Sequence, residues 1–246
     1  MELSLTPSMP VWARPTRLSS TIFSAKVFAF RLQRLAQDFL APPPRLSKAG
    51  TEAYPFRMAQ SRTALWSDTN PAEQKAQRGK VQNLRIACAQ LDGLLIPAGS
   101  VFSFWRHVGA PIAARGFVPG RMLQQGCMVS AVGGGLCQLS NALYDIALQS
   151  GCLIVERHAH SRIVPGSAAA IGRDATVAWN YVDLRFVSAQ DIRLTAQLDG
   201  DGLIVSFGAA SESKQEATQA TPSQQRSSAR SCASCGEIKC FRYEGR

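Results

Sequence analysis

Between residues 152 and 208 the chain offers a succession of short apolar runs and no helix-length pattern, and that order limits what it can fold into. "LIVERHAHS", "DATVAW", "DLRFVS", "IRLTAQL" and "LIVSF" each have the length and the β-branched or aromatic content of a strand. The last two flank "DGDG", a hairpin turn signal. Just before this region, Leu136, Leu139, Leu143 and Ile146 repeat at helical spacing, and Gly151 stands where a helix would end. One helix followed by closely linked strands lacks the long crossovers that a parallel sheet requires. The pattern therefore predicts an α+β fold in which this helix packs on a mainly antiparallel sheet.

Two more helices are expected upstream. In "NPAEQKAQRGKVQNLRIACAQLDG", Asn70 is placed as an N-cap, Pro71 suits the first helical position and Glu73 could close a capping box. Val81, Leu84, Cys88 and Leu91 form its buried stripe, which makes Cys88 a core thiol, and Gly93 ends it. "LLIPAGSVFSFW" follows, with a turn at Pro97–Gly99 and a short aromatic strand. In residues 19–40, Phe28, Leu32, Leu35 and Phe39 recur at helical spacing, decorated by Lys26, Arg31 and Arg34. Such a helix is expected to pack on its own domain; peripheral membrane contact through residues 19–40 is the alternative. "APPPR" at 41–45 breaks the chain after it. Four regions result: a basic N-terminal extension over 1–60, a folded domain over 70–208, a Ser/Gln/Ala/Thr-rich linker over 211–231 expected to be disordered, and a cysteine-rich tail over 232–246.

The net charge of +10 is concentrated at the front, where residues 1–60 hold eight Lys and Arg against three acids. No basic stretch is interleaved with aromatics as a nucleic-acid platform would be, so no specific nucleic-acid partner is expected. "TIFSAKVFAF" is short, carries Lys26 and lacks a following cleavage signal, and no run approaches the roughly 18 apolar residues of a spanning helix. These features place the chain in the cytoplasm, where its seven cysteines would be thiols, catalytic groups or metal ligands rather than disulfides.

"GGGLCQ", residues 133–138, carries the chemical interest. Cys137 would lie in the first turn of its helix, where the dipole and free amides stabilise a thiolate. Gly134 and Gly135 would let backbone N–H groups approach a substrate and form an oxyanion hole, with Gln138 beside them; a tight helix-to-sheet turn is the structural reading of the same glycines. Strand alternation in "CLIVERHAHS" would put Glu156, His158 and His160 on one face. Either His158 or His160 could take the thiol proton, and Asp174, opening "DATVAW", could orient the imidazole. Chain order then matches that of papain-like and transglutaminase-like thiol enzymes, an analogy of layout. The same His-x-His pair with a nearby carboxylate also fits a metal site. His107 has no sequence partner and reads as structural.

The tail forms a separate signal. Cys232, Cys235 and Cys240 are compactly spaced and suit zinc or an iron–sulfur cluster, with Cys127 or Cys152 as sources of a fourth ligand. The thiol chemistry at Cys137 requires no cofactor.

Taken together, "GSVFSFWRHVG", "RGFVPG", "GGGLCQLSNALYDIAL", "VERHAHS" and "GRDATVAWNYVDLRF" resemble the VanW family over about residues 78–208. The motifs of that family fall here on Gly133–Gly135, Cys137 and Gln138, on Glu156–Ser161 and on Gly172–Val177. The resemblance implies a cell-envelope and glycopeptide context. The expected activity is a thiol hydrolase or acyl/amide transferase acting on a peptide-like or cell-envelope-precursor substrate. The alternatives are a non-catalytic module that binds such a precursor and a metal-dependent enzyme built on the histidine pair.

Overall fold

A computed structural model describes residues 17–66, 71–124, 127–160 and 168–212. The elements run α1 (Arg17–Leu40), β1 (Phe56–Ala64), α2 (Gln74–Leu91), β2 (Leu95–Ile96), β3 (Val101–Ser103), α3 (Phe104–Val108), β4 (Pro119–Gln124), β5 (Cys127–Val132), α4 (Leu136–Gln149), β6 (Leu153–Glu156), β7 (Arg185–Val187), β8 (Ile192–Asp199) and β9 (Gly202–Ala209). The fold is α+β, and all named strand pairs are antiparallel.

Three sheets form. The largest has the order β1-β9-β8-β2, the second β3-β7-β6, and β4 pairs with β5 alone. β8 and β9 close tightly: Asp199 pairs with Gly202 across Gly200–Asp201, as the turn signal indicates. β1 adds to the free side of β9, an arrangement that no sequence pattern announced. α2 and α4 pack on this sheet, burying Leu84, Leu91, Leu139, Leu143 and Ile146 against Leu194, Val205 and Phe207. Phe102, Phe104 and Phe186 extend the core toward the second sheet, with Phe102 and Phe186 stacked at 4.6 Å.

Several expectations change at element ends. The helix expected from Pro71 opens with a single 3-10 turn over Pro71–Glu73 before α2 starts. Glu73 makes no side-chain cap bond; it lies 3.7 Å from Arg121 of β4, a longer-range attraction that replaces the capping box. Asn70 lies outside the described residues. "DATVAW" forms no ladder strand, because Asn180 adopts φ 63° and folds Ala178 back onto Val182. His107 is structural as expected: Leu46 N–H donates to its Nε2, its Nδ1 lies 2.8 Å from Ser103 O, and it stacks on Phe102.

α1 departs most. It packs on the domain, but not through its apolar stripe: Phe28, Leu32, Leu35 and Phe39 are all exposed. The docked face carries charges as well as Phe23 and Val27, which are half-buried. Arg34 bonds Glu156 at 2.5 Å, Asp38 accepts from Arg185 at 2.8 Å, and Arg31 lies over the Tyr181 ring. Spacing finds a stripe but does not say which way it faces. Here the partners are two charges left on the outer side of β6 and β7. Among the described residues, no helix is long and apolar enough to cross a membrane.

Candidate functional site

The glycines before α4 are explained by packing. Gly133 and Gly135 have φ 78° and 100°, a left-handed region that side chains rarely enter. Gly134 is pressed against β4: a Cβ there would lie 2.1 Å from Gly120 O. A Cβ on Gly135 would meet Lys80 Cγ at 2.1 Å. Asn83 of α2 stitches the junction, donating to Val118 O and Gly134 O and accepting from Val118 N–H, each at 2.9 Å. The amide of Gly134 donates to Ala131 O and that of Gly133 to Val118 O, so these two amides are already bonded within the turn. Gln138 also has a local task, since its side-chain amide donates to Thr63 Oγ1 and Ala64 O and holds α4 to β1.

This junction sets Cys137 in the first turn of α4, partly buried, its sulfur 3.9 Å from Val177 O. Residues 173–177 run along α4 and are clamped to it turn by turn. Arg173 pairs with Asp145, Asn141 Oδ1 accepts from Ala175 N–H at 2.7 Å, and the Ser140 hydroxyl donates to Ala175 O at 2.6 Å. Asp174 is thereby buried and fixed in direction.

Asp174 collects three donors. Its Oδ2 lies 2.7 Å from His160 Nδ1 and accepts the His160 backbone N–H at 2.6 Å; its Oδ1 accepts from Arg157 at 2.7 Å. Arg157 also donates to the Asp174 carbonyl and lies over the Tyr144 ring. Burial alone would raise the Asp174 carboxyl, but His160 and Arg157 outweigh it and hold it low. The Cys137 thiol also acts on the His160 ring, through hydrogen bonding and charge. Burial works against a charged ring, yet the bonds to Asp174 and Cys137 and their negative charge raise His160 to about 9. Asp174 and His160 are thus joined directly, with Cys137 among the groups that act on the imidazole.

His158 does not join them. β6 ends at Glu156, after a register shift between Ile154 and Glu156, so the alternation expected through His160 stops there. Residues 157–160 turn instead toward Asp174, secured by Thr176 N–H to His158 O at 2.7 Å. His158 is half exposed and faces Glu156, with Nε2 3.4 Å from its carboxylate. Glu156 also accepts from Arg34 and from Asp183 N–H. Although burial pushes that carboxyl up, His158 and Arg34 overcome it and bring it to about 2.

The two histidines serve different carboxylates, and among the described residues no three His, Cys, Asp or Glu side chains are grouped to hold a metal ion. That removes the basis for a histidine-pair metal centre. Cys232, Cys235 and Cys240 lie outside the described residues, as does the 211–231 linker beyond Glu212. Cys152 is buried beside Ser188, and burial pushes its thiol up to about 12; Cys88 is pushed up equally, by burial and then by Asp92. Both behave as core groups.

Arg157 is the residue that the sequence hid. Within "ERHAHS" it reads as a solvent-facing strand position, and only the turn of the chain after Glu156 brings it onto Asp174.

Comparison with known proteins now bears on the same segments. The family model described as "VanW like protein" matches residues 79–207, more than half of the chain. The chain belongs to the VanW family. Cys137, His160 and Asp174 all fall within the matched VanW region. The vancomycin B-type resistance protein VanW of Enterococcus faecalis is 30% identical over 162 residues, which cover 63% of this chain and 58% of that one. The uncharacterized protein YoaR of Bacillus subtilis is 30% identical over 132 residues, 53% of this chain and 43% of that one. The chain therefore spans about half the length of these curated relatives. No solved structure matches.

Proposed function

We propose that this VanW-family chain is a thiol hydrolase or acyl/amide transferase, with Cys137 as nucleophile, His160 as its acid–base partner and Asp174 as orienter. The observation that carries the reading is His160 Nδ1 held 2.7 Å from the buried carboxylate of Asp174, with Cys137, in the first turn of α4, among the groups that act on the same ring. The sulfur attacks a carbonyl carbon while its proton resides on the imidazole. Collapse of the tetrahedral adduct then breaks the bond to the leaving group, which takes that proton. Water, or an amine acceptor in a transfer, attacks the thioester next; His160 removes its proton and the sulfur departs. Since the Gly133 and Gly134 amides are bonded in the turn and that of Gln138 donates to Gly135 O, the oxyanion would be met by the Leu136 and Cys137 amides at the start of α4. Chain order, with Cys137 on a helix, His160 after a strand and Asp174 on the next segment, is the order of roles in papain-like and transglutaminase-like enzymes.

A peptide-like or cell-envelope-precursor substrate is supported by the resistance role printed in the name of the E. faecalis relative. Three unpaired cysteines, Cys88, Cys137 and Cys152, accord with a reducing compartment such as the cytoplasm. The test is trapping. A peptide α-chloroacetyl or thioester probe should leave a mass adduct on Cys137, lost in Cys137→Ala and slowed at least about tenfold in His160→Ala. An unmodified Cys137, or a rate indifferent to His160, would defeat the catalytic reading and favour a binding module.

A further inference from the structure

The outward side of α1 is apolar along its length. Leu18, Ile22, Phe28, Leu32, Leu35 and Phe39 are each 47–86% exposed. At 3.6 residues per turn these side chains project within an arc of about 140°. From Leu18 onward the other positions of that arc are alanines, Thr21 and Leu40. Arg34 and Asp38 point the opposite way, onto Glu156 and Arg185, so the domain already holds the helix by its other face. An apolar ridge that follows a 24-residue helix is far more than the scattered exposed side chains of an ordinary surface.

Charge indicates what covers this ridge. Lys26 and Arg31 are exposed and project about 40° beyond its two edges, one on each side. Asp38, the only acid in the α1 sequence, is turned inward to Arg185. The ridge is therefore bordered by cations and carries no acid. A second copy laid upon it would set cation against cation without a counter-charge. Residues 213–246 make a poor cover, since their large apolar side chains are only Ile238, Phe241 and Tyr243, and they hold six Lys and Arg against three acids. We propose that the outer face of α1 docks on an anionic lipid bilayer, lying parallel to its surface with the ridge among the acyl chains and Lys26 and Arg31 at the headgroups. The helix rests on the bilayer and does not cross it, being insufficiently apolar to span and tied to the domain by its inner face. Such docking requires nothing of Cys137.

Flotation of the full chain with vesicles, at about 0.1 M salt, tests this. Vesicles of phosphatidylcholine with about 30% phosphatidylglycerol should carry the protein upward, and pure phosphatidylcholine should bind it at least about tenfold more weakly. Leu32→Gln, Leu35→Gln and Phe39→Gln combined should weaken binding to the mixed vesicles at least about tenfold, with Tm kept within about 2 °C. Lys26→Glu should weaken it at least about fivefold. A second readout needs no variant: mixed vesicles should slow hydrogen exchange in α1 and leave β8 and β9 unchanged. No flotation of the unmodified protein, equal binding to both kinds of vesicle, or slowed exchange confined to other segments would each overturn the proposal. Undiminished binding by the triple variant would overturn it as well, since net charge alone would then account for the attraction. A dimer in light scattering that the triple variant abolishes, without flotation, would assign the ridge to a second copy instead.

Discussion

His160 keeps its proton against the pull of burial because two partners face it, so each can be removed and the consequence read. In Cys137→Ala the ring loses one of them, and its pKa should move down from about 9. In Asp174→Asn the bond to a full charge is gone, burial gains weight, and the fall should be larger. Titration of the His160 Hε1 proton by NMR checks both, and a midpoint still near 9 in each variant would sever the proposed linkage. The same shifts set the response of stability to pH. His160 is raised from 6.5 to about 9, so its contribution is complete below about 6.5 and is lost as pH rises through about 9. Glu156 is lowered from 4.5 to about 2, so its contribution is complete above about 4.5 and is lost as pH falls toward 2. These two contributions are together complete only between about 4.5 and 6.5, so Tm should decline as pH rises through about 9 and as it falls toward 2, while His107, lowered by burial, works against folding as pH falls below about 6.5.

At the scale of elements, the junction of α2, β4 and α4 is held by backbones in direct contact, which makes its glycines unequal to others. Gly134→Ala places a methyl group 2.1 Å from a rigid carbonyl and should cost about 3 kcal/mol or more. Gly99→Ala, at φ 74° in open space, should cost only about 1 kcal/mol of left-handed strain. Urea midpoints separate the two. This junction also shows what was legible in the chain. The periodicity of α4, the β8–β9 hairpin and the placing of Cys137 in the first turn of α4 rest on local pattern and could be read from it, whereas Asp174 lies on no strand. β1 could not, because it is an edge strand with a mixed exposure pattern whose identity comes from pairing with β9 some 140 residues away. Choosing between His158 and His160 was equally closed to local reasoning. The choice follows from where β6 stops, and it stops because Arg157 and His160 find better bonds on Asp174 than a ladder offers.

Across the whole molecule, α1 is attached in part by charge, through Arg34–Glu156 and Asp38–Arg185. Raising ionic strength from about 0.05 M to about 1 M should speed hydrogen exchange in α1 while β8 and β9 stay protected, and Asp38→Asn should lower the salt required. Equal protection of α1 at both salt levels would show that contacts other than Arg34–Glu156 and Asp38–Arg185 hold it. The pairing of β1 with β9 has a different consequence. The family model matches residues 79–207, but the sheet does not begin there: β1 lies at 56–64. A chain trimmed to residues 79–207 would leave one whole side of β9 as a row of bare amides and carbonyls beside an apolar face, an invitation to pair with a second molecule. Residues 79–207 should therefore precipitate or form β-rich aggregates where residues 41–212 remain dispersed, and light scattering tells them apart.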